Sequence, residues 1–177
     1  MKKKVAACVA LGLMLTGCTQ TTPTATQTQT STPVASQANT NAKKTDTAEI
    51  TLKDGSKIKV TINKVTSTEE RNDSDTTDPN QVIMLDFGYE NVSSSEDIIV
   101  DSSKFRVYDG SNVLATSYNL TTGRNYGYIK KGTKLANADL FYALINESTF
   151  VTVDFRYNGG TAGDPDATFV IEIQQPE

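Results

Sequence analysis

A thiol set directly behind a run of small residues is the group with the most defined chemistry in this chain. Leu15-Thr16-Gly17-Cys18 closes an apolar run, Val5 to Leu15, that follows Lys2, Lys3 and Lys4. The run is too short to span a bilayer and has the length of a signal-peptide core. Ordinary secretory cleavage needs small residues but no cysteine, so the thiol points to lipid attachment at Cys18 and cleavage after Gly17. Residues 1–17 therefore read as a lipoprotein signal peptide. Cys18 reads as a diacylglyceryl (palmitate-type) anchor on the extracytoplasmic face of the cell membrane. Each buried methylene contributes about 0.8 kcal/mol, and two acyl chains hold stably where one does not. No later apolar segment approaches transmembrane length.

The other reactive side chains offer less. There is no histidine, which removes Ser-His and Cys-His nucleophilic centres, the His-containing zinc motifs and imidazole acid-base work. Asp86, Glu90, Asp139 and Asp154 are the candidates for a glycosidase-type carboxylate pair. Strand alternation sets each beside apolar neighbours of the opposite face, which places them on the solvent side of a sandwich. Ser56-Lys57-Ile58-Lys59 matches S-x-x-K, but it opens an alternating strand and has neither S-D-N nor K-T-G elsewhere. Asp73, Asp75 and Asp78, joined by Asp164 and Asp166, offer oxygens to a hard cation. Their spacing breaks after Asp75 and no glutamate closes the loop, so a solvated surface loop is the expectation. The chain is read as no enzyme, with no cofactor and no metal.

Binding chemistry is concentrated between Tyr118 and Lys131, where Tyr118, Arg124, Tyr126 and Tyr128 are the candidate ligand-binding residues. Rigid aromatics bring contact area at low entropy cost, and the stretch is locally basic in an acidic protein. It suits a glycan or an acidic cell-envelope partner. The alternative is that the alternating tyrosines line a strand and pack their rings on the edge of the core.

These groups must be carried by something that folds without covalent help. Cys8 leaves with the signal and Cys18 is consumed by lipid, so no disulfide is available to the exported part. Removal of Lys2, Lys3 and Lys4 leaves 14 basic residues against 21 acidic ones, a net charge of −7. That balance argues against nucleic acid and against the anionic membrane surface as partners. Residues 18–47 form a tether: eleven threonines fall within residues 19–47, with Gln, Ser and two prolines and no aromatic residue. So little apolar surface cannot offset ordering entropy, and disorder is expected. Such a tether reaches about 30 Å as a coil and up to about 95 Å extended.

From Ala48 onward the pattern is one of short strands. Ile50 and Leu52 face Ile58, Val60 and Ile62 across an Asp54-Gly55 turn, which predicts a hairpin. Further strands are predicted at 81–91, 98–100, 104–108, 113–118, 135–145, 150–157 and 168–173. The pieces 104–108 and 113–118 are joined through Asp109-Gly110-Ser111-Asn112. The segment Ala136 to Ile145 reads as either a strand or a short helix. About seven to nine short strands without a helical stripe predict an all-β sandwich or barrel over residues 48–177.

Tyr89-Glu90-Asn91, Asp101 to Gly110, Lys131-Gly132-Thr133-Lys134 and Val153-Asp154-Phe155-Arg156-Tyr157 follow one another in this order. The order resembles the uncharacterised immunoglobulin-like domain of lipoproteins from Gram-positive bacteria, in the same broad group as the secreted immunogenic antigens of mycobacteria. The resemblance implies an immunoglobulin-like antiparallel sandwich and an extracytoplasmic location, and it carries no catalytic residues. Taken together, the residues describe a membrane-anchored lipoprotein presenting an immunoglobulin-like binding domain. An envelope accessory enzyme or enzyme inhibitor, and a passive spacer or surface antigen, stand as the alternatives. Replacing Cys18 by Ser is expected to abolish incorporation of labelled fatty acid and to move the protein from the membrane fraction to the soluble one. Unchanged labelling would remove the anchor.

Overall fold

The structure, a computed structural model, describes residues 46–159 and 163–176. The predicted signal peptide, Cys18 and nearly all of the tether lie outside the described residues. Among the described residues there are eight strands: β1 (Asp46–Thr51), β2 (Lys57–Thr68), β3 (Gln81–Asn91), β4 (Phe105–Tyr108), β5 (Thr116–Tyr118), β6 (Lys134–Leu144), β7 (Phe150–Phe155) and β8 (Ala167–Gln174). A single 3-10 turn, Ser102–Lys104, precedes β4 and is capped by the Asp101 carboxylate, which accepts from the Ser103 amide.

The domain is an all-β, immunoglobulin-like sandwich. One sheet holds β1, β2, β3, β6 and β5, and the other holds β4, β7 and β8. The two are joined edge to edge where β8 meets β2, so a single sheet runs β4-β7-β8-β2-β3-β6-β5 and curls toward a barrel. That junction, Val65 opposite Ile173 and Thr66 opposite Gln174, is parallel, whereas every other strand pairing is antiparallel. The predicted antiparallel sandwich therefore contains one short parallel contact, because β8 joins the edge of β2 just beyond the part that β1 occupies.

The inward faces follow the alternation in the sequence. Ile58, Val60 and Ile62 of β2, and Ile83, Leu85, Phe87 and Tyr89 of β3, enter one core with Phe105, Val107, Val151, Val153 and Phe155. The β1–β2 hairpin forms about Asp54-Gly55 as predicted, but β1 starts at Asp46, which pairs with Ile62, two residues ahead of the expected boundary. Residues 136–144 are strand, because β6 pairs with β3 along nearly its whole length, and Ile145 lies just past its end. The composition of β6 is ambiguous because it is apolar on both faces. Ala138, Leu140, Tyr142 and Leu144 point inward, while Phe141 and Ala143 join a second cluster on the outer face with Val82 and Tyr118.

The predicted strand 113–118 divides in two. Leu114 bridges back to Tyr108 and the Ala115 amide donates to the Val107 carbonyl at 2.8 Å, whereas Thr116–Tyr118 pair with β6. The chain thus changes sheets in mid-segment, where a period-two pattern looks the same on either side. Two register shifts, between Ile62 and Lys64 and between Phe87 and Tyr89, bend the first sheet. Gly88 sits in the second, where a Cβ would lie 2.5 Å from the Ala136 carbonyl oxygen, so β6 passes too close for any side chain.

Phe87, Phe105 and Phe155 are the largest fully buried side chains. Phe87 meets Phe105 edge-on at 5.0 Å between centroids, and Phe105 meets Phe155 at 5.3 Å. Phe87→Ala is expected to lower unfolding stability by about 3–5 kcal/mol, read from the shift of a urea denaturation curve. A loss below about 1 kcal/mol would show that the ring stack does not organise the core.

Candidate functional site

The outer face of the first sheet supplies the site. On β3 and β6, Asp86 and Asp139 are direct cross-strand partners, so two carboxylates project from the same face side by side. Sequence alternation assigned them to solvent, and they do lie on the outer face. They are nevertheless buried, with side-chain exposures of 4% and 5%, because the segment after β5 folds back over them. Strand alternation specifies a face and cannot specify whether a loop covers it.

Arg124 resolves the resulting repulsion. Its Nη2 lies 3.0 Å from Asp86 Oδ2 and 2.6 Å from Asp139 Oδ1, and its Nε donates to Asp139 Oδ2 at 2.9 Å. Asn63 Nδ2 donates to Asp86 Oδ1 at 2.8 Å. Burial pushes the Asp139 carboxyl up, but hydrogen bonds and charge from Arg124 outweigh it and hold the group below the usual carboxylate range. The hydrogen bond to Asp139 raises Arg124 in turn. A carboxylate held ionised in this way is a poor proton donor at neutral pH, unlike the acid of a glycosidase pair. Asp154, the other buried aspartate of that set, is paired with Arg156 at 2.9 Å and accepts from Thr168 Oγ1 at 2.7 Å.

The covering loop is pinned along its length. Tyr118 is buried, packs on Val82 and Phe141, and its hydroxyl accepts from the Asn72 amide at 2.8 Å. Thr122 Oγ1 donates to Glu70 Oε2 at 2.6 Å, and the Asp139 amide donates to the Arg124 carbonyl at 3.0 Å. The Tyr89 hydroxyl holds Gly127, accepting from its amide at 3.1 Å, and Ile129 bridges Ile98. Between these pins Tyr126 and Tyr128 stand out, 39% and 71% exposed.

The four predicted ligand-binding residues therefore divide. Tyr118 is a structural side chain and Arg124 is committed to two carboxylates, which leaves Lys130 and Lys131, both exposed, as the remaining basic residues of the stretch. Tyr126 and Tyr128 lie outside the strands and are exposed. Tyr118, Arg124 and Tyr126 border a groove of about 380 Å³ that is also lined by Asp139 and Phe141.

The remaining sequence candidates serve local structure. Asp75 accepts from the Thr77 amide and hydroxyl, and Asp166 accepts from the amides of Tyr157 and Asn158. Among the described residues no group of three or more His, Cys, Asp or Glu is placed to hold a metal ion. Ser56 donates its hydroxyl to Asp54, and Lys57 pairs with Glu49. Sequence reading missed a polar cleft of about 700 Å³ beside Arg71, Gln81, Ser148 and Phe150. Its lining comes from separate segments, and no local pattern marks it. Nor does any motif announce Asp86 and Asp139 as a pair, since their meeting is a matter of register.

No family model matches this sequence, and no curated protein sequence matches it. Solved structures do share the fold. One is ycdA of Bacillus subtilis subsp. subtilis str. 168, a candidate lipoprotein, with a TM-score of 0.52 at 16% identity over 75% of this chain. The match spans 39% of the ycdA chain. Another is MPT63, a secreted protein of Mycobacterium tuberculosis, with a TM-score of 0.53 at 13% identity over 72% of this chain and 92% of that one. At such identities the likeness is one of fold. Among the described residues no helix is long and apolar enough to cross a membrane.

Breaking the Arg124 network is expected to leave two buried charges side by side. Arg124→Met should cost about 2–4 kcal/mol at pH 7. Because the Asp139 pKa is depressed in the folded protein, its contribution is present above the unfolded carboxylate value of about 3.9 and is lost as pH falls through the folded value. The variant's deficit should therefore shrink below about pH 4. Parallel denaturation curves at pH 7 and pH 3 measure this, and a deficit independent of pH would contradict it.

Proposed function

We propose that this chain is a lipoprotein held at the extracytoplasmic face of the membrane through Cys18. It displays a non-enzymatic immunoglobulin-like domain that binds a protein or glycan of the cell envelope. The signal-like start and the thiol behind Gly17 support the anchor. The fold shared with a secreted protein and a candidate lipoprotein is consistent with that location.

The observation that carries the binding role is the pair of exposed tyrosines on an immobilised loop. An exposed aromatic on a mobile loop must be ordered when it binds, at about 0.5–1.5 kcal/mol per side chain. Here Arg124, Tyr118 and Tyr89 have already fixed the loop. Tyr128 and Tyr126 thus present rigid, amphipathic surface, the kind of residue that dominates binding interfaces. With Arg124 neutralised, recognition rests on aromatic and amide chemistry more than on charge.

The test uses the anchored chain displayed on vesicles. Purified wall glycan is offered in one arm and detergent-solubilised envelope proteins in the other. Saturable capture in either arm is expected, weakened about tenfold or more by Tyr126→Ala combined with Tyr128→Ala. Equal capture by the double variant would set this reading aside.

A further inference from the structure

The curled sheet does not close. Its two terminal strands, β4 and β5, are not paired with each other, and the chain spans the gap only through the short return 113–115. Beside that crossing lies a cavity of about 260 Å³, lined by Ser102, Phe105, Arg106, Leu114, Ser117 and Tyr142 among others. We infer that this seam is a binding pocket for a small carboxylate with a short apolar tail, recognised by Tyr142 and Arg106.

The phenol is the first observation. Tyr142 is 3% exposed, and its hydroxyl is a buried polar atom without a hydrogen-bond partner. A hydroxyl left in that state forfeits the hydrogen bonds it makes to water, and native proteins keep few such groups without a reason. Burial pushes its pKa up, so it stays protonated and can only be a neutral donor or acceptor. Phenylalanine would fill the same core position without this cost.

Arg106 is the second. Among the described residues its guanidinium makes one hydrogen bond, at 3.3 Å to the Phe105 carbonyl of its own strand, and has no carboxylate within ion-pairing distance. The nearby acids are already engaged. Asp101 is turned onto the Ser103 amide and hydroxyl, and Asp154, opposite Arg106 in register, is paired with Arg156. The pocket therefore offers one uncommitted positive charge, one unpartnered phenol and the Ser102 and Ser117 side chains against an apolar wall of Phe105, Val107, Leu114 and Ala115.

That inventory selects the ligand. A monoanion is matched by one guanidinium, whereas a dianion would leave a charge unpaired beside Asp101 and Asp154. Charged groups make the stronger hydrogen bonds, and two carboxylate oxygens can engage a guanidinium and a phenol at once. The volume corresponds to about eight or nine waters at ~30 Å³ each, the scale of a short fatty acid or a peptide end. No solvent reaches the hydroxyl in the closed form. An entering oxygen must therefore shift part of the lining; the return 113–115 that borders it is tied to β4 by the Leu114–Tyr108 bridge and by the Ala115 amide, which donates to the Val107 carbonyl at 2.8 Å.

Titration of the full chain in detergent, followed by calorimetry, decides the matter. The probes are hexanoate, for a free acid, and N-acetyl-dialanine, for a peptide terminus, with hexanamide and inorganic phosphate as counter-probes. One or both carboxylates should bind saturably at millimolar or lower concentration. Binding should weaken about tenfold in Arg106→Gln and several-fold in Tyr142→Phe. Tyr142→Phe removes only an unpartnered hydroxyl, so its melting temperature should equal or exceed that of the parent. The preference between the two carboxylates identifies the source of the ligand. Four results would overturn the inference: no saturable binding of either carboxylate, equal binding of hexanamide, tighter binding of phosphate, or affinity unchanged by Tyr142→Phe.

Discussion

The edge-to-face contact of Phe87 with Phe105 is the point at which the two sheets are held together. Phe87 belongs to the first sheet and Phe105 to the second, and from them a line of rings extends to Tyr89 on one side and to Phe155 and Tyr157 on the other. Lys104 closes the line with its ammonium 4.8 Å from the Tyr157 ring. Antibody-type immunoglobulin domains join their sheets with a disulfide packed on tryptophan. This chain has no tryptophan and its described residues hold no cysteine, so dispersion and ring geometry must do that work. Each ring pair contributes about 0.5–1.5 kcal/mol beyond the area it buries.

That constraint shapes the rest. With the rings filling the middle of the sandwich, the sheet curls around them, bending at the two register shifts, the second of which holds Gly88. The curl stops short of closure and leaves the β4–β5 seam. The chain crosses this seam and then lies back over the outer face of β3 and β6, where it finds a second apolar cluster and the two aspartates. A face that would be wet in an open sandwich is dry in its middle and carries exposed tyrosines on top.

Arg124 is the device that makes this covering stable. Two carboxylates on one dry face repel each other and lose hydration, and a single planar guanidinium answers both. The same bond that neutralises the face fixes the loop. The Arg124 charge is therefore consumed within the domain, while Tyr126 and Tyr128 stay exposed above it.

Alternation in the sequence determined the class of fold, the β1–β2 hairpin, the inward faces of β2 and β3 and the extent of the loops, because side-chain period and turn residues are local properties. The expectation of a lipid anchor at Cys18 is likewise read from a local motif, which lies outside the described residues. Only the tertiary structure decided that residues 113–118 change sheets, that β8 joins β2 in parallel and that residues 136–144 are strand. It alone brought Asp86, Asp139 and Arg124 together and put Tyr142 and Arg106 in the lining of one cavity. These depend on register, and register is fixed by which distant strand offers a complementary face. An outward-pointing aspartate reads the same in sequence whether water or a folded-back loop lies above it. The decision belongs to the packing around the aromatic rings, which no local pattern records.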